Sequence, residues 1–244
     1  EILKLIVNKG WFFNVTPGSK FVTIGGAIAS DVHGKNHHLD GSFCDYVFSF
    51  KIITSEGILY NCSKGENSEL FHATCGGMGL TGIIISAKIK LLKIKSKIIK
   101  TKIIKTKNLE ETIKSFKKFN ENKYLVAWID ALAKNESMGR SIIFIGNHSD
   151  EGDLSFLEKI KFSIPRIFPG FLLNKFVIKL FNKFYYFFHK NNKKIEQSLD
   201  SFFYPLDSLG SWNNLYGKDG FIQIQILITE NNFEEIICKT LKFF

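Results

Sequence analysis

Residues 21–45, FVTIGGAIASDVHGKNHHLDGSFCD, combine side chains suited to acid–base chemistry with a glycine pair. The carboxylate, imidazole and ammonium groups fall within eight positions, at Asp31, His33, Lys35, His37 and His38. An imidazole can accept or relay a proton, and a lysine can balance a negative charge. Gly25 and Gly26 carry no Cβ, so their backbone can approach another molecule closely. The pattern favours a ligand-contacting loop, and a solvated polar loop after a tight turn is the alternative.

A second glycine cluster follows at residues 75–82, CGGMGLTG. Its glycines are Gly76, Gly77, Gly79 and Gly82. No packed helix or strand is expected to need glycine at this density, whereas converging backbone N–H groups can bind an anion or lie against a flat ring. The G-x-G-x-x-G spacing does not open a βαβ unit, so a Rossmann dinucleotide site is rejected.

The elements expected to position these groups are short strands and turns. Phe21–Ile24 is predicted as a strand that leads into the glycine pair, because its residues are aromatic and β-branched. Residues 46–54 and 58–62 are predicted to form a hairpin, and 83–94 a further strand. Residues 16–19, TPGS, are typical of a turn and make Gly18 a candidate contact, with a plain loop as the alternative.

A boundary is predicted near residue 95, which gives domains at 1–94 and 95–244. Beyond it, a lysine-rich strand at 97–106, an amphipathic helix at 109–120 and strands at 124–132 and 140–146 indicate an antiparallel sheet with helices. The sequence therefore predicts an α+β protein with two domains.

Two later stretches also carry functional hypotheses. Residues 159–195 contain no acidic residue and nine Lys or Arg, and an amphipathic helix is predicted within 170–190. That helix is expected either to pack on its own domain or to lie on an anionic membrane. Residues 221–229, FIQIQILIT, alternate as a strand with isoleucines on the core side. Gln223 and Gln225 on its other face suit sugar hydroxyls or a wet sheet surface.

Composition narrows the function classes. The chain has 33 Lys and Arg against 23 Asp and Glu, a formal charge of +10, which favours anionic partners, although an AT-rich genome also enriches lysine.

The spacing of its four cysteines indicates no disulfide framework and no zinc site. A metal site made by His33, His37, His38 and Cys44 is disfavoured, because Gly34, Asp40 and Gly41 oppose the helix that would align the imidazoles. No RNA-binding signature is present, so nucleic acid is not expected as a partner.

The run TIGGAIASDVHGKNHHLDGSF resembles the signature of FAD-linked oxidases of the vanillyl-alcohol-oxidase type, which have a PCMH-type FAD-binding domain. Within that superfamily it is most similar to the decaprenylphosphoryl-β-D-ribose 2′-oxidase family. GENSELFHATCGGMGLTGIII at 65–85 resembles the family's second flavin-contacting segment. WNNLYGKDGFIQIQ at 212–225 resembles its substrate-domain strand.

The resemblance implies FAD as cofactor and assigns roles to particular residues. His33 and Lys35 are expected to be catalytic and to face the flavin ring opposite Gln223 and Gln225. The implied cofactor contacts are Gly18, Thr23, Ile24, Gly25, Gly26, His33, Gly76, Gly77, Gly79, Gly82 and Ile84. The implied substrate contacts are Lys35, Trp128, Trp212, Tyr216, Gln223 and Gln225.

The resemblance also implies an activity. The expected reaction is oxidation of a secondary hydroxyl on a polyprenyl-phosphoryl pentose, on the way to arabinose, with an aldonolactone oxidase and a non-catalytic basic membrane module as alternatives. A partner reductase and a bacterial location, cytoplasmic or periplasmic, at the inner-membrane surface are expected. Because the sequence starts at Glu1 and not at methionine, it is expected to be a fragment. The resemblance implies that the first half of the FAD domain is missing and that the substrate domain is incomplete at its C-terminus.

Overall fold

A computed structural model describes residues 1–155, 162–165, 173–217 and 220–243. Strands in these ranges are β1 Trp11–Phe13, β2 Val47–Ile53, β3 Leu59–Ser63, β4 Ile83–Ile89, β5 Leu91–Lys93, β6 Ile98–Thr106, β7 Tyr124–Ile129, β8 Ser141–His148, β9 Phe162–Ser163, β10 Lys193–Ser198 and β11 Leu209–Gly210. The α-helices are α1 Ile2–Val7, α2 Ile24–Ala29, α3 His37–Asp40, α4 Ser68–Thr74, α5 Leu109–Phe119, α6 Lys175–Phe188, α7 Leu199–Phe203 and α8 Phe233–Phe243. Short 3₁₀ helices include Phe43–Tyr46, Pro205–Ser208 and Trp212–Tyr216.

The chain divides into two compact units. The described part of the first is residues 1–99, 148–155 and 197–207, and that of the second is 100–147, 162–165, 173–196, 208–217 and 220–243. Helices are interspersed with mainly antiparallel sheets in both units, which confirms the predicted α+β class. Among the described residues, no helix has the length and apolar character needed to cross a membrane.

The first unit is built around the three-stranded antiparallel sheet β3-β2-β4. The predicted hairpin is confirmed, with Phe50 of β2 opposite Cys62 of β3. The ring of Phe50 stacks on Phe71 of α4 at 5.1 Å, so α4 covers one face of the sheet. The predicted strand at 83–94 is divided in two, and its second part, β5, pairs with β1 instead.

The predicted strand Phe21–Ile24 is wrong, because a helix begins there. The Thr23 hydroxyl accepts a hydrogen bond of 3.0 Å from the Gly26 amide and so caps the N-terminus of α2. A threonine cap stabilises a helix by about 1 kcal/mol, as much as the whole spread of strand propensities. The glycine pair therefore lies in the first turn of a helix and not at the end of a strand.

The second unit contains the sheet β10-β6-β8-β7, in which β7 and β8 are antiparallel. Leu125, Ile143 and Ile145 form a buried cluster with Phe116 and Phe119 of α5. Because side chains alternate along a strand, the opposite face of β7 and β8 carries Trp128 and Phe144. These two rings contact Tyr185 in α6 and His189 just beyond it, so α5 and α6 pack on opposite faces of one sheet.

The predicted strand at 221–229 is wrong, because these residues have no strand pairing in the structure. Ile222 and Ile224 are 90% and 80% exposed, so they are not on a core-side face. Alternation tells which side chains would share a face, but a strand also needs a neighbour for its backbone N–H and C=O groups. The predicted helix within 170–190 is present as α6, and residues 166–172 lie outside the described ranges.

Candidate functional site

The two glycine-rich stretches meet in the first unit. The Gly76 amide donates a hydrogen bond of 3.1 Å to the Ile28 carbonyl, and the Met78 amide donates one of 2.7 Å to the Ala29 carbonyl. Both acceptors lie at the C-terminal end of α2, where the last carbonyls of a helix lack partners within it. The loop that carries Gly76, Gly77 and Gly79 is thereby fixed beside the helix that carries Gly25 and Gly26.

The N-terminal end of α2 lies against β4. A Cβ added at Gly25 would stand 3.7 Å from the Ile84 Cβ, an ordinary van der Waals distance. Ile84 belongs to β4, and Thr23 provides the cap of the same helix. Predicted cofactor residues from positions 23–26 and from 84 are therefore neighbours, although they are about sixty residues apart in the chain.

The turn that carries Gly18 is held by the segment 199–207. The Thr16 and Tyr204 hydroxyls share a buried hydrogen bond of 2.6 Å. The Asp207 carboxylate accepts bonds from the Ser19 hydroxyl at 3.0 Å and from the Lys20 amide at 2.7 Å. Burial raises the pKa of Tyr204, so its phenol keeps its proton at neutral pH. Gly18 is thus presented on a loop with fixed ends.

The loop of His33 and Lys35 packs on residues 14–16. A Cβ at Gly34 would lie 2.7 Å from the Thr16 carbonyl oxygen, so the backbone approach there requires glycine. The buried Asn36 side chain donates to the Asn14 carbonyl at 2.8 Å and to Asp40 at 2.6 Å. The HGKN run and the turn leading to Gly18 therefore form one rigid piece.

Lys35 is held on α7. Its ammonium lies 4.5 Å from the Phe202 ring centroid and donates a hydrogen bond to the Phe202 carbonyl. Burial lowers the pKa of Lys35 from its usual 10.5 to about 8. The side chain is still a cation at neutral pH, but it can lose its proton more easily than a surface lysine.

The histidines form an edge-on series. The ring centroids of His33 and His37 are 5.9 Å apart, and those of His37 and His38 are 6.1 Å apart. The pKa of His37 is lowered, first by burial and then by its two histidine neighbours, which favours the neutral imidazole. Within the described ranges, no three His, Cys, Asp or Glu side chains are grouped closely enough to hold a metal ion.

The glycines differ in what the fold itself requires. A Cβ at Gly77 would lie 2.1 Å from the Ala73 carbonyl oxygen, and one at Gly82 would lie 2.3 Å from that of Ile53. The expectation that packing does not need this glycine density is therefore wrong at these two positions. Around a Cβ at Gly18 or Gly79, the described residues leave the space within 4 Å open. Gly18 also has an ordinary φ. Neither its backbone conformation nor the described residues around it need glycine, so contact with a bound group would be the reason for glycine at this position. These residues fit FAD.

The predicted substrate residues lie in the second unit. Trp128 packs on Tyr185, with ring centroids 4.9 Å apart. Trp212 and Tyr216 lie on one 3₁₀ helix with ring centroids 6.2 Å apart, and Tyr216 also contacts Phe221 at 4.2 Å. Gln223 and Gln225 are exposed. Their place opposite His33 and Lys35 stays a prediction.

Sequence reasoning missed the anchoring residues of 199–207. Asp200 forms a salt bridge of 2.6 Å with Lys20. Tyr204 and Asp207 hold the neighbouring turn at residues 16–20. The only local signal is the Ser198 cap, which accepts from the Ser201 amide and predicts a helix start but no contact. The partners are about 180 residues apart, a separation at which one sequence gives no pairing information.

Comparison with known proteins agrees with this arrangement. Residues 1–63 match the family model described as FAD binding domain. The chain is 36% identical over 247 residues to decaprenylphosphoryl-beta-D-ribose oxidase of Mycolicibacterium smegmatis, covering 96% of this chain and 54% of that protein. The predicted FAD-binding domain, the predicted likeness to this oxidase family and FAD as cofactor are therefore confirmed.

Two further relatives are more distant. An uncharacterized protein in the mprA 5′ region of Streptomyces coelicolor is 32% identical over 150 residues, 61% of this chain and 40% of that protein. Human Delta(24)-sterol reductase is 26% identical over 92 residues, 38% of this chain and 18% of that protein. The chain spans about half the length of the mycobacterial relative.

Proposed function

We propose that the full protein is an FAD-dependent oxidoreductase that oxidises a secondary hydroxyl of a polyprenyl-phosphoryl pentose. The observation that carries the oxidoreductase assignment is the junction of α2 with the glycine loop, made by the bonds from Gly76 and Met78. The substrate class rests on the similarity to decaprenylphosphoryl-beta-D-ribose oxidase, which extends over both units.

FAD, when bound, supplies the acceptor for the hydride that leaves the carbinol carbon. In this chain, Gly18, Thr23, Gly25, Gly79 and Ile84 would hold it. The open space at Gly18 and Gly79 and the ordinary contact distance at Gly25 would let a flat ring or a phosphate approach the backbone.

Lys35 and His33 carry the remaining chemistry in this proposal. Lys35 is fixed by Phe202 on one side and would hold the sugar or balance negative charge near the reacting carbon. His33 would orient the hydroxyl or relay its proton. The substrate contacts would come from Trp128, Trp212 and Tyr216, with Gln223 and Gln225 binding sugar hydroxyls.

The product would be a ketone on the sugar ring. A reductase that acts on this ketone is the expected partner, because inversion at a carbinol carbon needs a reduction after the oxidation. An aldonolactone oxidase is the second candidate function, since the FAD contacts would be the same in both.

Gly25→Ala in the full-length protein tests the cofactor site. Alanine is better than glycine inside a helix by up to about 1 kcal/mol, and among the described residues its Cβ would meet Ile84 at an ordinary distance. We therefore expect unchanged or higher thermal stability of the apoprotein, together with a lower flavin-to-protein absorbance ratio after purification. Gly65→Ala is the control outside the glycine junction, because the described residues leave open space around its Cβ position.

Full flavin content in Gly25→Ala would remove α2 from the cofactor site. Anaerobic bleaching of the flavin by polyprenyl-phosphoryl ribose, with none by arabinono-1,4-lactone, is the expected substrate result. The reverse preference would favour the aldonolactone oxidase. Purification of the full-length protein with no flavin at all would leave the basic membrane module as its function.

A further inference from the structure

Helix α6 is oriented by polar contacts on one side. The Asn182 amide donates a hydrogen bond of 2.8 Å to Asp130, and the Tyr186 hydroxyl donates one of 3.1 Å to the Thr106 carbonyl. Tyr185 packs on Trp128 between them. With about 3.6 residues per turn, Asn182, Tyr185 and Tyr186 share one side of the helix. This side faces the sheet of the second unit, so the rotation of α6 about its axis is fixed.

The opposite side of α6 is apolar and exposed. Its side chains form what we term the phenylalanine face: Phe176, Leu180, Phe181, Phe184, Phe187 and Phe188. Phe176, Phe187 and Phe188 are 75%, 76% and 73% exposed. Soluble proteins rarely expose so many large apolar side chains in one contiguous patch unless it is an interaction site.

Lysines border the phenylalanine face. Lys175, Lys179 and Lys183 are all exposed and recur every four residues, which places them in one row along an edge of that face. Residues 159–195 contain no acidic residue, so the row has no acidic neighbour on its own helix. The next exposed positive charges, Lys190 and Lys193, follow just after the helix.

The apolar side chains and the lysine row together favour an anionic bilayer over a second copy of the chain as the surface that covers this face. A second copy bound through the same face would bring a second lysine row, and residues 159–195 of that copy contain no acidic residue to neutralise either row. An anionic bilayer offers acyl chains to the phenylalanines and negative headgroups to the lysines at the depth where each lies. At about 1.5 Å per residue, the fourteen residues of α6 extend about 21 Å, a length suited to lying in the interface.

We propose that the phenylalanine face of α6 docks on an anionic membrane surface, with the helix axis parallel to the bilayer. This inference goes beyond the oxidation proposed above and does not depend on it. It requires neither bound FAD nor a sugar, only the exposed apolar side chains and the lysine row.

Vesicle co-sedimentation of the full-length protein tests the docking. We expect binding to vesicles of equal parts phosphatidylcholine and phosphatidylglycerol, and weaker binding to phosphatidylcholine alone. Binding to the anionic vesicles should fall as salt rises from about 0.05 M to about 0.5 M, because headgroup attraction is screened. This measurement uses the unmodified protein, so it is independent of any folding defect in a variant.

Substitutions separate the apolar and the electrostatic contributions. Phe187→Ser combined with Phe188→Ser should weaken binding to anionic vesicles by about tenfold or more, because two exposed rings no longer enter the bilayer. Phe48→Ser is the matched control, since Phe48 is an exposed phenylalanine on β2 of the other unit. Lys179→Gln combined with Lys183→Gln should lower anionic binding and reduce its salt dependence.

Several outcomes would overturn the proposal. These are no vesicle binding by the unmodified protein, binding equal on neutral and anionic vesicles, or equal loss in the Phe48→Ser control. A change from dimer to monomer in the phenylalanine variant, with vesicle binding unchanged, would assign the face to self-association. Substrate turnover is not part of the measurement, so failure here leaves the proposed oxidation standing, and failure of that activity leaves the docking standing.

Discussion

Lys35 and Phe202 are 167 residues apart in the chain, yet the Lys35 ammonium lies 4.5 Å from the Phe202 ring centroid and donates to the Phe202 carbonyl. The contact joins the HGKN loop to α7 within the first unit. It explains how the Lys35 ammonium is accommodated in a partly buried position. A ring face and a carbonyl oxygen supply negative potential on one side, and burial lowers the lysine pKa.

The first prediction concerns the pH dependence of stability at Lys35. Its pKa is about 8 in the folded chain and 10.5 in the unfolded chain, so between these values the unfolded chain binds more protons. The stability of the protein relative to Lys35→Met should therefore rise as pH increases from about 8 to about 10.5, and be flat below about 7. Urea denaturation of both proteins at several pH values measures this difference.

Lys51→Met is the control, because Lys51 is an exposed lysine on β2. A pH trend of the same size in this control would show that the trend does not come from burial at position 35. A difference for Lys35→Met that is constant across the window would show that Lys35 keeps an ordinary pKa and would contradict the burial argument.

The second prediction separates glycines that the fold needs from those it does not. Gly77→Ala places a Cβ 2.1 Å from the Ala73 carbonyl oxygen, which is backbone of α4 and cannot rotate away. We expect a loss of about 1–3 kcal/mol in the free energy of unfolding, the usual cost of overpacking. Gly18→Ala should change it by less than about 0.5 kcal/mol, because nearby described residues leave room for the Cβ.

Urea denaturation of the apoprotein gives both values without interference from bound flavin. Equal stability of Gly77→Ala and the unmodified protein would show that the loop can shift away from α4. Contact with bound flavin would then be the better explanation for glycine at position 77.

The third prediction concerns the Asp130 cluster that orients α6. Asp130 accepts two bonds from Arg140, at 3.0 and 2.6 Å, and one of 2.8 Å from Asn182. The side chains of Asp130 and Arg140 are only 3% and 21% exposed, so Asp130→Ala leaves a mostly buried guanidinium without its carboxylate. Breaking such a pair costs roughly 3 kcal/mol, to be measured by chemical denaturation.

Asp150→Ala is the matched control for this variant, because Asp150 forms an exposed pair with Lys95 at 3.1 Å. It should unfold at the same denaturant concentration as the unmodified protein, since exposed pairs contribute little. If Asp130→Ala unfolds at the same denaturant concentration as the unmodified protein, apolar packing alone, such as that of Trp128 on Tyr185, holds α6 on the sheet.

Several elements could be predicted from the sequence because their cause is local. The hairpin of β2 and β3 follows from two apolar runs around a Ser-Glu-Gly turn, and Gly57 has the positive φ that such a turn uses. Helices α5 and α6 follow from residues spaced at the helical period. The signature between Thr23 and Phe43 likewise identified the FAD domain, because a long specific motif keeps its residue order whatever surrounds it.

Other features required the tertiary structure, since they depend on residues far apart in the chain. The alternation at 221–229 specified two faces but not a neighbouring strand, and the isoleucines are exposed. The capping bond at Thr23 turned a strand-like sequence into the start of α2. By itself, the sequence determined the local elements and the family. Only the folded chain decided that Phe202 shields Lys35, that Ala73 forces glycine at 77, and which side of α6 stays exposed, because packing depends on the path of the whole backbone.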